Sequence, residues 1–383
     1  MTKSRRSSRQ FLQLIRQHGP TSRSDLAELA GVAVSTASLH VEHLLKCGLV
    51  EDIGQGASRG GRRPRLVRLR PDEGIVLGID LGSRHARLGV VDLSGTLLGV
   101  ENLAIRLEDG PETVLAALVA RLGTLLSERG NPALRGVGIA VPGPVEQTSG
   151  RIVGPSRMPG WANVVIAEHL GPRLGVPVAV DNDANLLTLG EYRARWPLQE
   201  VRHVVGVKVG RGIGCGVIVD GELHRGGGGT EGDISHVRFG SEKAGQTPCG
   251  CGNIGCLETF ASGAAILRQL AASGEPAGSL GELVERARAG DALTNGLLRR
   301  AAASLGEVLA VVVNFFNPQA ILLGGALSAV DSFVSTVRAT VYDRCLRLAG
   351  ESLEVAVVSS GANAGLLGAS DLILGRVIET AEL

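Results

Sequence analysis

Three stretches early in the body of this 383-residue chain decide its class: IVLGIDLG (75–82), ARLGVVDL (86–93) and TLLGVENL (96–103). Each is an apolar run of strand length, and glycine or polar turns separate them. A helical pattern over roughly 111–129 follows, then the strand RGVGIAV (135–141). A related order returns with HVVGVKVG (203–210) and GIGCGVIVDGEL (212–223), then helices, then AILLGG (320–325). A hairpin-rich start followed by helices, twice in one chain, predicts two similar α/β lobes facing a cleft. Glycine turns end several strands, at Asp80-Leu81-Gly82, Gly210-Arg211-Gly212-Ile213-Gly214 and Gly324-Gly325. Such turns let backbone amides approach a phosphate, although each alone also suits a plain hairpin. The 210–216 glycines stand between two strands, not between strand and helix, so a dinucleotide fingerprint lacks its context.

Working outward, the composition fits folded domains: 44% of residues are hydrophobic and 20% charged, enough apolar material for real cores. No apolar run approaches a membrane span, and the opening MTKSRRSSRQ is not a signal peptide. The net charge of +1 hides a division. Residues 1–70 carry 13 Lys and Arg against 5 Asp and Glu, a charge of +8, which leaves −7 for residues 71–383. A basic segment ahead of an acidic body suggests a polyanion-binding module.

That segment has helix-turn-helix spacing. Residues 9–18 place Phe11, Leu12, Leu14 and Ile15 on one helical face, and Gly19-Pro20 stops it. Thr21 or Ser22 caps a second helix with apolar positions Leu26, Leu29 and Ala30, and Gly31 makes the turn. A third helix over roughly 34–46 turns Val41, Leu44 and Leu45 inward. Its opposite face offers Ser35, Thr36, Ser38, Leu39 and His40 to base edges. The loop GQGASRGGRRPRLVRLR (54–70) supplies Arg59, Arg62, Arg63 and Arg65 to a wing that tracks phosphates or enters a minor groove. Helix spacing, a basic loop and concentrated charge together predict a winged helix-turn-helix that binds double-stranded DNA.

The most specific signal is PCGCGNIGCLE (248–258), with Cys249, Cys251 and Cys256 in eight residues and His236 thirteen positions before the first. Four Cys and His ligands suit a tetrahedral zinc with no open position, hence a structural metal. Such a metal would fix the His236 imidazole and leave its second nitrogen toward a ligand. Six cysteines are too few for a disulfide framework, and the cluster implies a reducing cytosol. Carboxylates, Asn and His together can satisfy vicinal sugar hydroxyls, which each donate and accept. In VAVDNDANLLTLGEY (178–192), any of Asp181, Asn182 or Asp183 could instead cap the helix that follows the strand.

These residues resemble the ROK family of repressors, open reading frames and sugar kinases, in particular its winged-helix regulators. The likeness runs along nearly the whole chain: the GGRRP wing, DLG (80–82), VPGPV (141–145), MPGW (158–161), VDNDANL (180–186), GRGIGCGVIVDGELHRG (210–226), GDISH (232–236), CGCGNIGCLE (249–258) and NFFNPQAILLGG (314–325). The resemblance implies an actin-like, ribonuclease H-like, two-lobed sugar-kinase fold over 71–383 behind a DNA-binding head over 1–70, with a sugar between the lobes. Residue by residue, it implies sugar contacts for Asn182, Asp183, Asp233, His236 and Glu258, with Gly143 and Ser156 lining the same pocket. Asp183 matches the kinases' general base, and Asp233 stands where the family usually has Glu.

Departures from the family separate a sensor from a kinase. The kinases' DxGGT turn reads Asp80-Leu81-Gly82-Ser83-Arg84-His85, and their GTGIG turn reads Gly210-Arg211-Gly212-Ile213-Gly214. Bulky Arg211, Arg84 and His85 would crowd turns that need close backbone approach. The expectation is a cytoplasmic, sugar-responsive regulator, a repressor acting as a homodimer or homotetramer on a paired operator, with kinase activity lost. The alternative is an ATP-dependent hexose kinase with an appended DNA-binding domain.

Overall fold

The computed structural model describes residues 2–56, 63–154, 158–197, 200–229, 231–238 and 247–380, and of residues 2–7 the backbone alone. The N-terminal part holds helices α1 (Thr2–His18), α2 (Arg23–Ala30) and α3 (Val34–Lys46) with strands β1 (Thr21–Ser22), β2 (Val50–Gln55) and β3 (Arg65–Leu69). The strands form one antiparallel sheet in the order β1-β3-β2, and the β2–β3 hairpin is the wing. Ser22 caps α2 by accepting from the Asp25 amide, and Gly31 closes it at φ +64. Phe11, Leu12, Ile15, Leu26, Val41 and Leu44 form the core as expected. Leu29 departs from expectation at 44% exposed, because Leu26 and Ala27 are the residues of α2 that turn inward.

His40 is a correction. It was expected on the open face of α3, but only 7% of it is exposed. Ala37, His40, Val41 and Leu44 follow the i, i+3, i+4, i+7 stripe of a packed helix, which places His40 against the core. Its ring stacks on Phe11 at 5.0 Å and its Nδ1 lies 3.0 Å from Ser8 Oγ. Burial, then His43, lowers its pKa, so the imidazole is a neutral packing element. Ser35, Thr36 and Leu39 are exposed and Ser38 is half-buried.

The body repeats one architecture. In the first lobe β4 (Ile75–Leu81), β5 (His85–Asp92) and β6 (Leu97–Ala104) lead through α4 (Pro111–Glu128) to β7 (Leu134–Val141), then α5 (Ile166–Leu174) and β8 (Val178–Asn182). Helix α6 (Asp183–Arg195) crosses to the second lobe, where β9 (Val204–Val209), β10 (Ile213–Val219) and β11 (Glu222–His224) precede α7 (Glu258–Ala261), α8 (Gly263–Ala272), α9 (Leu280–Arg288) and α10 (Ala292–Phe316). Then come β12 (Ala320–Gly324), α11 (Asp331–Arg344), α12 (Arg347–Glu351), β13 (Glu354–Val357) and α13 (Ala364–Thr380). The sheets run β6-β5-β4-β7-β8 and β11-β10-β9-β12-β13. In each, the first three strands in sequence pair antiparallel and the last two add in parallel. The duplication read from element order is therefore a duplication of topology.

Each sheet packs its outer face on its own helices. Leu77, Ile79, Leu118, Leu122 and Trp161 fill the first lobe, and Val205, Val207, Leu298, Leu309 and Phe333 the second. Between the sheets run α6 and α13, each leaving the last strand of one lobe. Their crossing is close: a Cβ on Gly368 would lie 1.8 Å from Leu186 O, and one on Gly190 2.0 Å from Ala364 O. Only glycine permits that approach. Farther along, α13 reaches the N-terminal part, where Ile378 joins the core of α1–α3 and Asp371 pairs with Arg16 of α1.

Candidate functional site

The C-terminal ends of β4, β7 and β8 open onto the cleft, facing the start of β10 and residues 231–236 and 249–258. A cavity of about 250 Å³ lies there, lined by Gly143, Asn182, Asp183, Asp233, His236 and Glu258 among others. Every sugar residue expected from the sequence is thus brought to one place, except Ser156, which lies outside the described residues.

Asn182 settles which residue caps α6. Its Oδ1 accepts from the amides of Ala184 (2.9 Å) and Asn185 (3.4 Å), and its Nδ2 donates to Gly143 O at 2.9 Å. One amide hydrogen remains for a ligand. Asp181 is committed elsewhere, accepting from Arg225 at 2.8 Å and from Asn185 Nδ2 at 3.1 Å. Asp183, freed from capping, lies 2.9 Å from Lys208 Nζ. Glu258, at the start of α7, accepts from the Ile213 amide at 2.9 Å and so ties α7 to β10. Asp233 accepts from Ser235 Oγ at 2.6 Å, and its other oxygen lies 3.8 Å from His236 Nε2.

The ligand atoms of His236, Cys249, Cys251 and Cys256 all lie within 4.8 Å of one another. Cys249 Sγ is 3.4 Å from His236 Nδ1, and Cys251 Sγ is 3.6 Å from Cys256 Sγ. A tetrahedral zinc with Zn–S of about 2.3 Å separates its ligand atoms by about 3.5–3.8 Å, so the cluster fits that ion. Burial, then the neighbouring thiols, pushes Cys256 up to about 12. Gathering three thiolates there calls for the charge of a dication. With Nδ1 toward the thiols, His236 presents Nε2 to the cavity side.

The sequence reading missed Glu231 and Asn185, which also line the cavity. Asn185 Nδ2 donates to Glu231 Oε1 at 2.8 Å, while Glu231 Oε2 and Asn185 Oδ1 are buried without a hydrogen-bond partner among the described residues. Burial raises the Glu231 pKa. Asn185 also borders a larger cavity of about 590 Å³ behind the cleft, with Arg16, Arg193, Arg225 and Asp371. None of the expected sugar residues lines that space.

At the other end of the cleft stand the three residues expected to crowd the turns. Arg84 and Arg211 are exposed. His85 is exposed as well, and its ring lies beside the first turn, where a Cβ on Gly82 would come 2.7 Å from its Cε1. In the second turn, the carbonyls of Gly210 and Arg211 accept from the α8 amides of Gly263 (2.9 Å) and Ala264 (3.0 Å). In the wing, Arg63 is exposed and Arg65 pairs with Asp52 at 2.8 Å, while Arg59 and Arg62 lie outside the described residues.

Comparison with known proteins agrees with this architecture. The xylose repressor of Bacillus subtilis (strain 168) is 30% identical over 374 residues, covering 96% of this chain and 95% of that protein. The crystal structure of a ROK family transcriptional regulator, a homologue of the E. coli MLC protein, covers 97% of this chain and 96% of its own with a TM-score of 0.78 at 24% identity. A ROK family glucokinase from Streptomyces griseus, solved with glucose and AMPPNP, is 28% identical with a TM-score of 0.66, covering 78% of this chain and 99% of that one. The ROK family profile matches residues 76–376, and the chain belongs to the ROK family.

Proposed function

We propose that the chain is a sugar-responsive, DNA-binding transcriptional repressor of carbohydrate-metabolism genes, in which the fold's kinase chemistry is not used. The observation that carries this reading is α13. Its first turn packs on the cleft, where a Cβ on Gly365 would lie 2.6 Å from Asp80 Oδ2, and its last turn places Ile378 in the core of the DNA-binding head. One rigid element thus touches both the cleft and the head. A sugar that changes how the lobes close has a physical route to the operator-reading helices, provided it binds the two forms unequally. The likeness to the xylose repressor over nearly the full length supports the same reading.

In this reading residues 1–70 form the winged head and 71–383 the sugar-binding body. Asn182, Asp183, Asp233, His236 and Glu258 contact the sugar, with Gly143 at the wall, and Ser156 joins them. His236, Cys249, Cys251 and Cys256 hold a structural zinc that fixes the pocket wall and supplies no reacting position. Ser35, Thr36, Ser38 and Leu39 meet bases, and Arg59, Arg62 and Arg63 meet phosphates. His40 supports the recognition helix from behind. The protein works in the cytoplasm as a homodimer or homotetramer, whose symmetry matches a paired operator.

The test is operator binding on genomic fragments with and without a panel of sugars. One sugar should change the affinity by about 5- to 150-fold, a coupling of about 1–3 kcal/mol. Affinity indifferent to every sugar, or ATP-dependent sugar turnover abolished by Asp183→Asn, would overturn the reading. Arg62→Ala and Arg63→Ala should each lower the salt slope of operator binding by about 0.9, the share of one phosphate contact. An unchanged slope removes the wing from the interface.

A further inference from the structure

Lys208 stands in β9 within a strand of otherwise apolar residues and glycine, VVGVKV. Its ammonium lies 2.9 Å from Asp183 Oδ2 at the start of α6 and 3.6 Å from Asp80 Oδ1 at the end of β4. All three side chains are mostly buried, at 22%, 16% and 19% exposure. The contact therefore spans the cleft, from the second lobe's sheet to the first lobe's sheet and the connecting helix. Burial works against charge on Lys208, but Asp183 and Asp80 outweigh it and hold its pKa above the ordinary range. Burial pushes Asp80 the other way, toward holding its proton, and Lys208 is the largest influence opposing this.

Two carboxylates near one another on the first-lobe side of a cleft are oxygen donors of the kind a divalent cation takes together with a nucleotide's phosphates. A kinase of this fold implies such a metal–nucleotide, and the residues present do not fit it. The space between the carboxylates holds an ammonium, and the His85 ring lies beside the adjoining turn at Gly82. A dication entering beside Lys208 would meet like charge in a poorly solvated place.

We propose that Lys208 is a resident cation that takes the place of a divalent metal between Asp80 and Asp183, closing the phosphoryl end of the cleft and positioning Asp183 as an acceptor for the ligand's hydroxyl. The exclusion of metal stands on the ion triad alone. The positioning of Asp183 rests on the sugar-binding reading given above. Lys208 acts through Asp183, so it is a positioning residue.

The experiment uses the full chain loaded with zinc and reads Mn²⁺ uptake from the free-ion paramagnetic resonance signal. Thiolate ligands favour zinc strongly over Mn²⁺, so the His236 cluster does not compete. The unaltered protein should take up no Mn²⁺ at about 1 mM, whereas Lys208→Met should bind one ion per chain. Adding Asp80→Asn to Lys208→Met should abolish that uptake, and Lys208→Arg should exclude the ion as lysine does. The proposal is overturned if the unaltered chain binds one Mn²⁺ that Asp80→Asn removes, a result that needs no Lys208 variant to fold. It is equally overturned if folded Lys208→Met binds none. Calorimetry with the responsive sugar reads the second half: Lys208→Met should weaken binding about tenfold and Lys208→Arg should restore most of it. Equal sugar affinity in all three would confine Lys208 to metal exclusion. A protein that binds no sugar sinks the sensor reading and leaves the Mn²⁺ result to judge the resident cation by itself.

Discussion

The two ends of the cleft are built from the same pair of sheets, yet their polar groups are used in opposite ways. At the end near the cysteine cluster, carboxylates and amides keep capacity in reserve. Asn182 retains an amide hydrogen after capping α6, and Glu231 Oε2 and Asn185 Oδ1 have no partner among the described residues although buried. Such orphaned atoms cost roughly 1–3 kcal/mol each unless something outside the chain satisfies them. At the opposite end more groups are met within the chain, although Asp80 Oδ1 is buried without a hydrogen-bond partner among the described residues and reaches Lys208 only at 3.6 Å. Lys208 sits between Asp80 and Asp183, His85 lies beside Gly82, and the α8 amides are taken by the carbonyls of Gly210 and Arg211. A fold that in the glucokinase accompanies glucose and AMPPNP here leaves one end open and fills the other. On the proposed reading, a duplicated scaffold keeps recognition and sheds transfer chemistry through a few side chains.

The contrast can be broken most forcefully at the cysteine cluster. Cys251→Ser should release the zinc and with it the fixed orientation of His236, lowering sugar affinity by about 10- to 100-fold. Metal analysis and calorimetry on one sample check both, and undiminished sugar affinity in a zinc-free variant would uncouple metal from pocket. Asp183→Asn probes the boundary between the two ends. It keeps the shape but removes charge from a pair with a buried ammonium, and should weaken sugar binding by about tenfold while producing no gain in turnover. A smaller effect sharpens the reading of Glu231. Burial holds its carboxyl above the ordinary 4.5, so the folded chain keeps a proton that the unfolded chain releases just above that pH. Stability should therefore fall as pH rises through that window, and Glu231→Gln should remove this part of the fall. Denaturant titrations at a series of pH values measure it, and an identical profile in the variant would show that Glu231 does not titrate there.

Much of this was legible in the chain because apolar periodicity and turn chemistry report local structure directly. The strands read at 75–82, 86–93, 96–103, 135–141, 203–210 and 320–325, the helix at Pro111–Glu128 and the cysteine knuckle lie where the sequence places them, whereas 212–223 divides into β10 and β11, and β13 was not read. The errors come from phase and from partners distant in sequence. His40 reads as polar and therefore exposed, yet counting from Ala37 and Val41 sets it on the packed stripe, a signal that was present. Glu231 stands two residues before Asp233, in a stretch where attention falls on the family's own carboxylate. Lys208 carried the plainest warning, a lysine inside an apolar strand, which requires a buried counter-charge. Its partners, however, lie on β4 and at the head of α6, and no local pattern names them. The capping of α6 by Asn182 over its two acidic neighbours is decided by where Arg225 and Lys208 stand, again a matter of tertiary contact.

The contact between α6 and α13, where glycine backbones meet without side chains between them, has a mechanical consequence. Two helices packed that closely at Gly190 and Gly368, and along much of their length besides, resist sliding or separating and move together. With the cleft on one arm and Ile378 among the helices of the N-terminal part on the other, a small rotation at the cleft end becomes a displacement at the far tip. The molecule is in this sense a lever clamped at Gly190 and Gly368, with the N-terminal part riding on its tip.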